Sequence, residues 1–326
     1  MTVEWTHDPR AFVARDWTPL VLADPEATFF HTPRYLKLYW EEFGAEHLHL
    51  ATVVLGGQDV AAAAFDLRDD VLTWLGGFDV TDYMGPVGIP EARDAAAKEL
   101  MTSLASRPQW RTADLAGLPK GGRWLPALLE AARDAELQAD PGDDGVAPLL
   151  ELPDTYDAYL EGLPGKLRHE IRRKERRLRE ALPDAHLVEA TPDTLARDLD
   201  RFVELHRSST GAKGKFMVPG VELFFRRLAE ALLPDRTFRL VFLEAGEDKV
   251  AGAVGFRWHD RFFLYNSAFD HHRASLSPGM VLVAEMIRGA IEEGCRTFDM
   301  LKGDLRYKYR FGARPRRIGR LRLHRR

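Results

Sequence analysis

Cysteine is nearly absent from this 326-residue chain, which holds one, Cys295. A single thiol excludes an internal disulfide and any zinc site built from several thiolates, so we expect no metal centre. No apolar run approaches the ~18 residues that a membrane-spanning helix needs. The opening residues, MTVEWTHDPRAF, carry acids and no apolar core, which predicts that there is no secretory signal. Together these features predict a cytoplasmic protein.

Charge is divided unevenly along the chain, although the net charge is only −4. Residues 1–150 carry 12 Lys and Arg against 24 Asp and Glu, and residues 151–326 carry 34 against 26. The hydrophobic content of 45% and the charged content of 29% are those of folded globular proteins. The basic second half is therefore the better place for an anionic ligand.

The length allows two domains of ordinary size. The stretch PGDDG, residues 141–145, has the composition of a turn and no side chain suited to packing. We place the domain boundary near residue 150, which gives an acidic domain 1–150 and a basic domain 151–326. Strand and helix patterns alternate in both halves and predict the α/β (α+β) class.

The two halves share an internal pattern. Residues 49–86 line up with residues 239–279: strand, Gly-containing turn, strand of small residues, charged turn and aromatic strand. Helical patterns follow at 91–106 and 279–293. This self-similarity predicts a duplicated fold. The alternative is two unrelated α/β domains with similar hairpins.

The triplet Ser277-Pro278-Gly279 opens a predicted helix. Serine is a favoured cap, proline fits a first turn, and glycine lets a ligand approach the backbone. The N–H groups and positive dipole end of a helix start favour an anion, and Arg273 stands just upstream. A plain helix cap is the alternative.

A second basic element is the helical stretch GKLRHEIRRKERRLRE, residues 165–180. Arg168, Arg172 and Arg176 recur every four residues and share one face of the helix. Arginine forks suit phosphate or carboxylate groups, so this face could grip an anionic substrate. A solvated basic face with intrahelical glutamate partners is the alternative.

The stretch TFDMLKGDLRYKYRFG, residues 297–312, begins like a buried strand and then crowds charges and tyrosines behind it. A carboxylate beside a lysine suits general acid–base work or a charged ligand, and a solvated turn with an ion pair is the alternative. The residues of interest are Asp299, Lys302, Asp304, Tyr307 and Lys308.

Two further candidates have weaker signals. His206 ends a predicted helix before the Gly/Lys-rich loop of LHRSSTGAKGKF, residues 205–216, where it could cap carbonyls or orient a substrate. Asp82 and Tyr83 lie in the loop VTDYMGP, and such a pair is usually turn chemistry.

Taken in order, the motifs TFFHTPRYLKLYWEEFG, TDY, KLRHEIRRKERRLRE, LHRSSTGAKGKF, SPGMVLVAEMIRGAIEEG and FDMLKGDLRYKYRFG resemble one family. It is the GNAT-like acetyltransferases called CelD-like, linked to cellulose and exopolysaccharide synthesis, which are similar to Fem-type aminoacyl transferases. The resemblance covers nearly the whole chain. It implies two tandem GNAT (acyl-CoA N-acyltransferase) domains with mixed, mainly antiparallel central sheets.

The resemblance also implies roles for particular residues. The GNAT pattern Arg/Gln-x-x-Gly-x-Gly/Ala holds the pyrophosphate of coenzyme A, and this chain keeps Arg273 and Gly279 of it. The predicted donor-binding residues are Arg273, Ser277, Gly279, Met280, Lys302 and Lys308. The predicted catalytic residues are Asp82 or Asp299 as the base and Tyr265 or Tyr307 as the acid. The predicted substrate-binding residues are Tyr83, Arg168, Arg172, His206 and Asp304.

The implied activity is transfer of an acyl group, acetyl in the first place, from acetyl-CoA to an amine. The acceptor would be a small molecule or a cell-envelope sugar or peptide, and the protein a monomer or dimer. One alternative is Fem-type transfer from aminoacyl-tRNA, suggested by the Arg-rich helix and the ten Lys and Arg in residues 306–326. The other is a binding module without catalysis on the same fold.

Overall fold

The computed structural model describes residues 1–44, 47–77, 80–209 and 213–325. Its contacts divide the chain into two compact units. Unit 1 comprises Met1–Val146 and Arg316–Arg326, and unit 2 comprises Ala147–Pro315.

The secondary structure follows the alternation that the hydrophobic patterns predict. The strands are β1 (Thr2–Thr6), β2 (His47–Leu55), β3 (Gln58–Arg68), β4 (Val71–Trp74), β5 (Val87–Gly88), β6 (Thr112–Pro119), β7 (Gln138–Glu151), β8 (His186–Glu189), β9 (Phe238–Ala245), β10 (Asp248–Trp258), β11 (Arg261–Phe269), β12 (Thr297–Asp299) and β13 (Arg314–His324). The helices are α1 (Ala11–Ala14), α2 (Thr18–Ala23), α3 (Pro33–Phe43), α4 (Arg93–Ser106), α5 (Trp124–Asp134), α6 (Tyr156–Gly162), α7 (Gly165–Ala181), α8 (Leu195–Arg207), α9 (Pro219–Leu232), α10 (Pro278–Glu292) and α11 (Arg306–Tyr309).

The sheet of unit 1 has the strand order β1-β2-β3-β4-β6-β13. Neighbouring strands are antiparallel except β4 and β6, which pair in parallel with Val71 opposite Thr112. The alanine-rich strand β3, QDVAAAAFDLR, is buried along most of its length, because its small side chains let α4 pack closely. Leu100 of α4 and Leu128 of α5 are buried in this core.

Residues 141–145 are not a turn: the prediction was wrong, because they continue strand β7. These residues can form a strand because basic side chains neutralise their two carboxylates. Asp143 forms an ion pair with Lys120 at 2.7 Å, and Asp144 forms one with Arg320 of β13 at 2.9 Å. A strand rich in Asp and Gly is thus held by basic neighbours despite its low strand propensity.

The sheet of unit 2 has the order β8-β9-β10-β11-β12, followed by residues 147–151 of β7. Here the parallel pair is β11 and β12, and the other neighbours are antiparallel. Strand by strand, this order repeats that of unit 1. The predicted mixed, mainly antiparallel sheets are confirmed.

Helices cover both faces of the unit 2 sheet. On one face α10 packs over Phe262 and Phe298, whose rings stack with centroids 5.2 Å apart. On the other face lie aromatic side chains of α8 and α9, Phe202 and Phe225. Burying each such ring contributes about 2 kcal/mol of transfer free energy, so this aromatic core fixes the sheet on which the site is built.

Candidate active site

The edge of β11 becomes open partway along the strand. Its parallel pairing with β12 covers Arg261 to Phe263, opposite Thr297 to Asp299. Strand β12 then ends, while β11 continues to Phe269. In the described part of the chain no other strand pairs with this edge beyond Phe263. Within this stretch the Ser267 N–H donates to the side-chain oxygen of Asn266 at 2.9 Å.

Strand β11 also carries a β-bulge at this point. Val254 of β10 lies opposite Asn266, and the next residue, Gly255, lies opposite Leu264, so Tyr265 is the extra residue. The Tyr265 ring contacts Phe225 of α9 and Phe256 of β10, at centroid distances of 5.0 and 5.6 Å. Bulges of this kind are frequent beside active sites because they re-aim side chains.

Tyr307 of α11 meets the open strand through Ser267. Burial raises the pKa of Tyr307 to about 12, although the neighbouring Ser267 side chain acts to lower it. The phenol therefore stays protonated at neutral pH, as an acid must. The sequence analysis missed Ser267. Ser267 is the one small hydroxyl residue of the strand RFFLYNSAF, and this was the signal that could have indicated it.

Asp299 lies where β11 and β12 separate. Its side chain is 2% exposed, and one carboxylate oxygen accepts the Leu301 N–H at 2.8 Å. Because Asp299 is in register with Phe263, the two side chains project to one face of the sheet. Phe256, which contacts Tyr265, is the register partner of Phe263 on the other side, so Asp299 and Tyr265 share that face.

The loop after β12 is held by Lys308. Its buried Nζ donates to the carbonyl oxygens of Leu301 and Lys302, each at 2.9 Å. The half-buried Lys302 lies in this loop, and the exposed Asp304 accepts a hydrogen bond from the Tyr309 hydroxyl at 2.5 Å. These bonds fix the backbone beside Asp299.

The start of α10 follows a 3-10 turn, His271–Leu276. Ser277 has a left-handed backbone, with φ 56°, and its carbonyl accepts the N–H groups of Met280 and Val281 at 3.0 and 3.2 Å. A Cβ on Gly279 would lie 3.0 Å from Cδ1 of Phe269, so the approach of that ring explains the glycine.

Arg273, the predicted phosphate ligand, is shared between two carboxylates. Its guanidinium lies 2.7 Å from Asp248 and 3.6 Å from Asp270. A diphosphate at the helix start would have to compete with both carboxylates for Arg273.

Three of the substrate candidates belong to helices α7 and α8. His206 is fully buried, with its ring between those of Phe202 and Phe216 at 6.0 Å from each. Residues 210–212 of the same motif lie outside the described residues. Arg172 is exposed on α7, and Arg168 donates to the Glu161 carbonyl at 3.3 Å.

Asp82 and Tyr83 belong to unit 1. Tyr83 is 2% exposed, and its hydroxyl accepts a hydrogen bond from Arg316, whose guanidinium also lies 4.8 Å from the ring centroid. Asp82 is half-buried near Tyr35, whose hydroxyl donates to the Val80 carbonyl at 2.8 Å. The remaining site candidates belong to unit 2.

In unit 1 the edge that corresponds to the open one is covered. Strands β4 and β6 pair in parallel over Val71 to Thr73, and the chain then turns back. The Met84 N–H donates to the Gly117 carbonyl of β6 at 3.2 Å. Gly117 has φ 82°, and a Cβ there would lie 2.8 Å from the Met84 nitrogen. Loop residues thus occupy the space that a ligand would need.

Two classes of feature are missing from the residues that the structure describes. No group of three or more His, Cys, Asp or Glu side chains could hold a metal ion. None of the helices there has the length and apolar character to cross a membrane.

Residues 165–309 match the family model described as "Acetyltransferase (GNAT) domain". A comparison with curated proteins found no match. FemX aligns with a TM-score of 0.67 at 11% identity, over 97% of this chain and 96% of that one. A conserved protein of unknown function from Bacteroides thetaiotaomicron VPI-5482 aligns with a TM-score of 0.67 at 14% identity, over 99% and 100%.

A tandem GNAT protein from the clavulanic acid biosynthesis pathway aligns with a TM-score of 0.51 at 13% identity, over 98% of each chain. Identities this low show the fold alone. The chain has a mixed α/β, GNAT-like fold, and its second half contains the match to the GNAT acetyltransferase domain. The predicted fold class is confirmed, and so is the resemblance at the level of the GNAT domain.

Proposed function

We propose that the chain is an N-acyltransferase that moves an acyl group, acetyl in the first place, from a coenzyme A thioester to an amine. The observation that carries the proposal is the open edge of β11, with Asp299 on one face of the sheet and the Ser267–Tyr307 pair beside the same strand. The match to a GNAT domain over residues 165–309 supports the reaction type.

In the proposed reaction the neutral amine attacks the thioester carbonyl, a C–N bond forms, and the C–S bond breaks. Backbone N–H groups along the open edge stabilise the developing oxyanion. Asp299 takes the proton that the amine nitrogen loses, and the sulfur receives a proton from Tyr307. A thiolate formed in the same buried surroundings has a raised pKa, which favours that transfer.

Other predicted residues take supporting roles in this proposal. Tyr265 lines the acceptor side of the open edge. Lys308 positions the loop that carries Lys302, while Arg273 and the start of α10 face the donor's phosphates. Asp82 is the competing candidate for the base.

The acceptor class rests on the CelD-like motifs alone, which favour an amino sugar or peptide amine of the cell envelope. The first experiment is calorimetric titration of the full chain with acetyl-CoA, followed by assays of thiol release with glucosamine, polyamines and short peptides. We expect binding in the micromolar range or below and amine-dependent thiol release. Absence of binding at hundreds of micromolar would remove acetyl-CoA as the donor.

A further inference from the structure

Helix α7 presents a strip of exposed basic side chains. We call it the basic strip: Lys166, His169, Arg172, Arg173, Arg176 and Arg177. The opposite face is buried through Ile171 and Leu178. Among the described residues, the structure shows an acidic partner for just one member of the strip, Arg176, with Glu180 at 3.8 Å. The 17-residue helix is about 25 Å long, so this is an extended surface of uncompensated positive charge.

The basic strip lies beside the proposed donor site. Helix α7 packs against α10 and against the 3-10 turn His271–Leu276 that precedes it. Glu170 of α7 forms an ion pair with Arg310 at 3.2 Å, directly after the helix that carries Tyr307. A partner on the strip would therefore lie close to the open edge of β11.

The 3-10 turn His271–Leu276, beside the proposed donor site, contains one arginine, Arg273, and its charge is already paired. Arg273 already faces Asp248 and Asp270, so a diphosphate gains less from it than from an uncompensated arginine. The uncompensated cations are on α7. A free nucleotide would need positive charge beside Arg273, whereas the available charge lies along α7. This position suits an anionic partner that is larger than a nucleotide.

We infer that the acyl donor is presented by a small acidic carrier protein whose phosphopantetheine arm bears the thioester. An acidic helix of the carrier docks on the basic strip, and the arm enters the open edge of β11. The inference rests on the proposed function and names the donor's carrier. The reaction balances as before: the amine gains the acyl group, and the thiol remains on the carrier.

Two observations favour an acidic protein over RNA. The exposed face of α7 carries no Phe, Tyr or Trp side chain, and His169 is the only ring of the strip on which an unpaired base could stack. Part of the basic C-terminal stretch is neutralised, since Arg317 pairs with Asp143 and Arg320 with Asp144.

The test measures fluorescence anisotropy of a labelled acyl carrier protein, charged with an acetyl-phosphopantetheine arm, against the full-length chain. The strip variant combines Lys166→Glu, Arg173→Glu and Arg177→Glu. The control variant combines Arg111→Glu, Arg123→Glu and Arg133→Glu, which are exposed on unit 1 and change the net charge equally. We expect the strip variant to lose about tenfold or more in carrier affinity, and the control variant less than about threefold. Both variants should bind acetyl-CoA within about twofold of the wild type.

Equal effects of the two variants, or no carrier binding by the wild type, would overturn the inference. So would an RNA mobility shift that the strip variant loses while carrier binding is absent, because the strip would then serve a nucleic acid. If the carrier binds through the strip but no amine releases thiol from either donor, docking is supported and the proposed transfer fails. Thermal unfolding of all variants checks that each is folded.

Discussion

Unit 1 and unit 2 arrange their strands in the same order, and they differ at the edge that follows the parallel pair. In unit 2, β11 runs on past the end of β12 and its edge stays open. In unit 1, the chain turns back and Met84 bonds to Gly117 across the corresponding space. The comparison teaches that one topology yields either an open strand edge or a covered one, according to the loop after the parallel strand.

The difference has a local cause. Gly117 of β6 adopts a positive φ without steric cost and leaves room for the Met84 backbone. Gly76 and Gly85, in the segment that contains Met84, also have positive φ. In unit 2 the chain leaves β11 through the 3-10 turn His271–Leu276 and enters α10. The helix start carries the backbone away from the edge.

The largest expected effect separates the two candidate bases. Asp299→Asn should lower kcat about 10³-fold, because the amide cannot take a proton although its oxygen can still accept the Leu301 N–H. The matched Asp82→Asn change in unit 1 should stay within about threefold of the wild type. Steady-state kinetics with acetyl-CoA and the best amine measures both, and the opposite ranking would make Asp82 the base.

The second prediction compares Tyr307 of unit 2 with Tyr83 of unit 1. Tyr307→Phe should lower kcat about 10²-fold by removing the acid. Tyr83→Phe should leave kcat nearly unchanged and reduce the free energy of unfolding by about 1–3 kcal/mol, since the Arg316 guanidinium loses a buried acceptor. Denaturant titration and kinetics on the same preparations distinguish the roles. Similar losses of kcat in both variants would refute the assignment of chemistry to unit 2.

The third prediction compares the stability cost of adding a Cβ at Gly117, beside the covered edge of unit 1, and at Gly279 in unit 2. Gly117→Ala should reduce the free energy of unfolding by about 2–3 kcal/mol, because a Cβ meets backbone at 2.8 Å and the positive φ is strained. Gly279→Ala has to displace only the Phe269 ring edge, so about 1 kcal/mol is expected. Urea unfolding curves provide the measurement. A more costly change at Gly279 would mean that the unit 2 edge is the more tightly packed one.

The smallest effect concerns pH. With its pKa raised to about 12, Tyr307 keeps its proton through pH 10 and is lost as an acid only at higher pH. The pH profile of kcat should therefore show no alkaline fall between pH 7 and about 10. A fall with an apparent pKa near 10 that disappears in Tyr307→Phe would contradict the buried environment of this phenol.

Sequence patterns predicted the class of fold because periodicity records which face of each helix or strand is buried. They also singled out the stretch that contains Asp299 and Tyr307, whose part in the chemistry stays a prediction. They could not reveal the bulge at Tyr265, since a bulge is a mismatch of register with β10. The Ser267–Tyr307 contact joins residues 40 positions apart, and the burial of Lys308 depends on a loop it closes. Such features arise from pairing over distance, which local pattern does not record.

Strand β13 has a consequence for biosynthesis. It pairs with β6 in unit 1, although its residues follow those of unit 2 in the chain. While a ribosome is still translating unit 2, strand β6 of the N-terminal half has an exposed edge, because β13 has not yet paired with Leu115 and Leu118. Such an edge recruits other strands. Growing chains should therefore depend on chaperones until residues 316–324 emerge, and premature stop codons late in the message should yield aggregates.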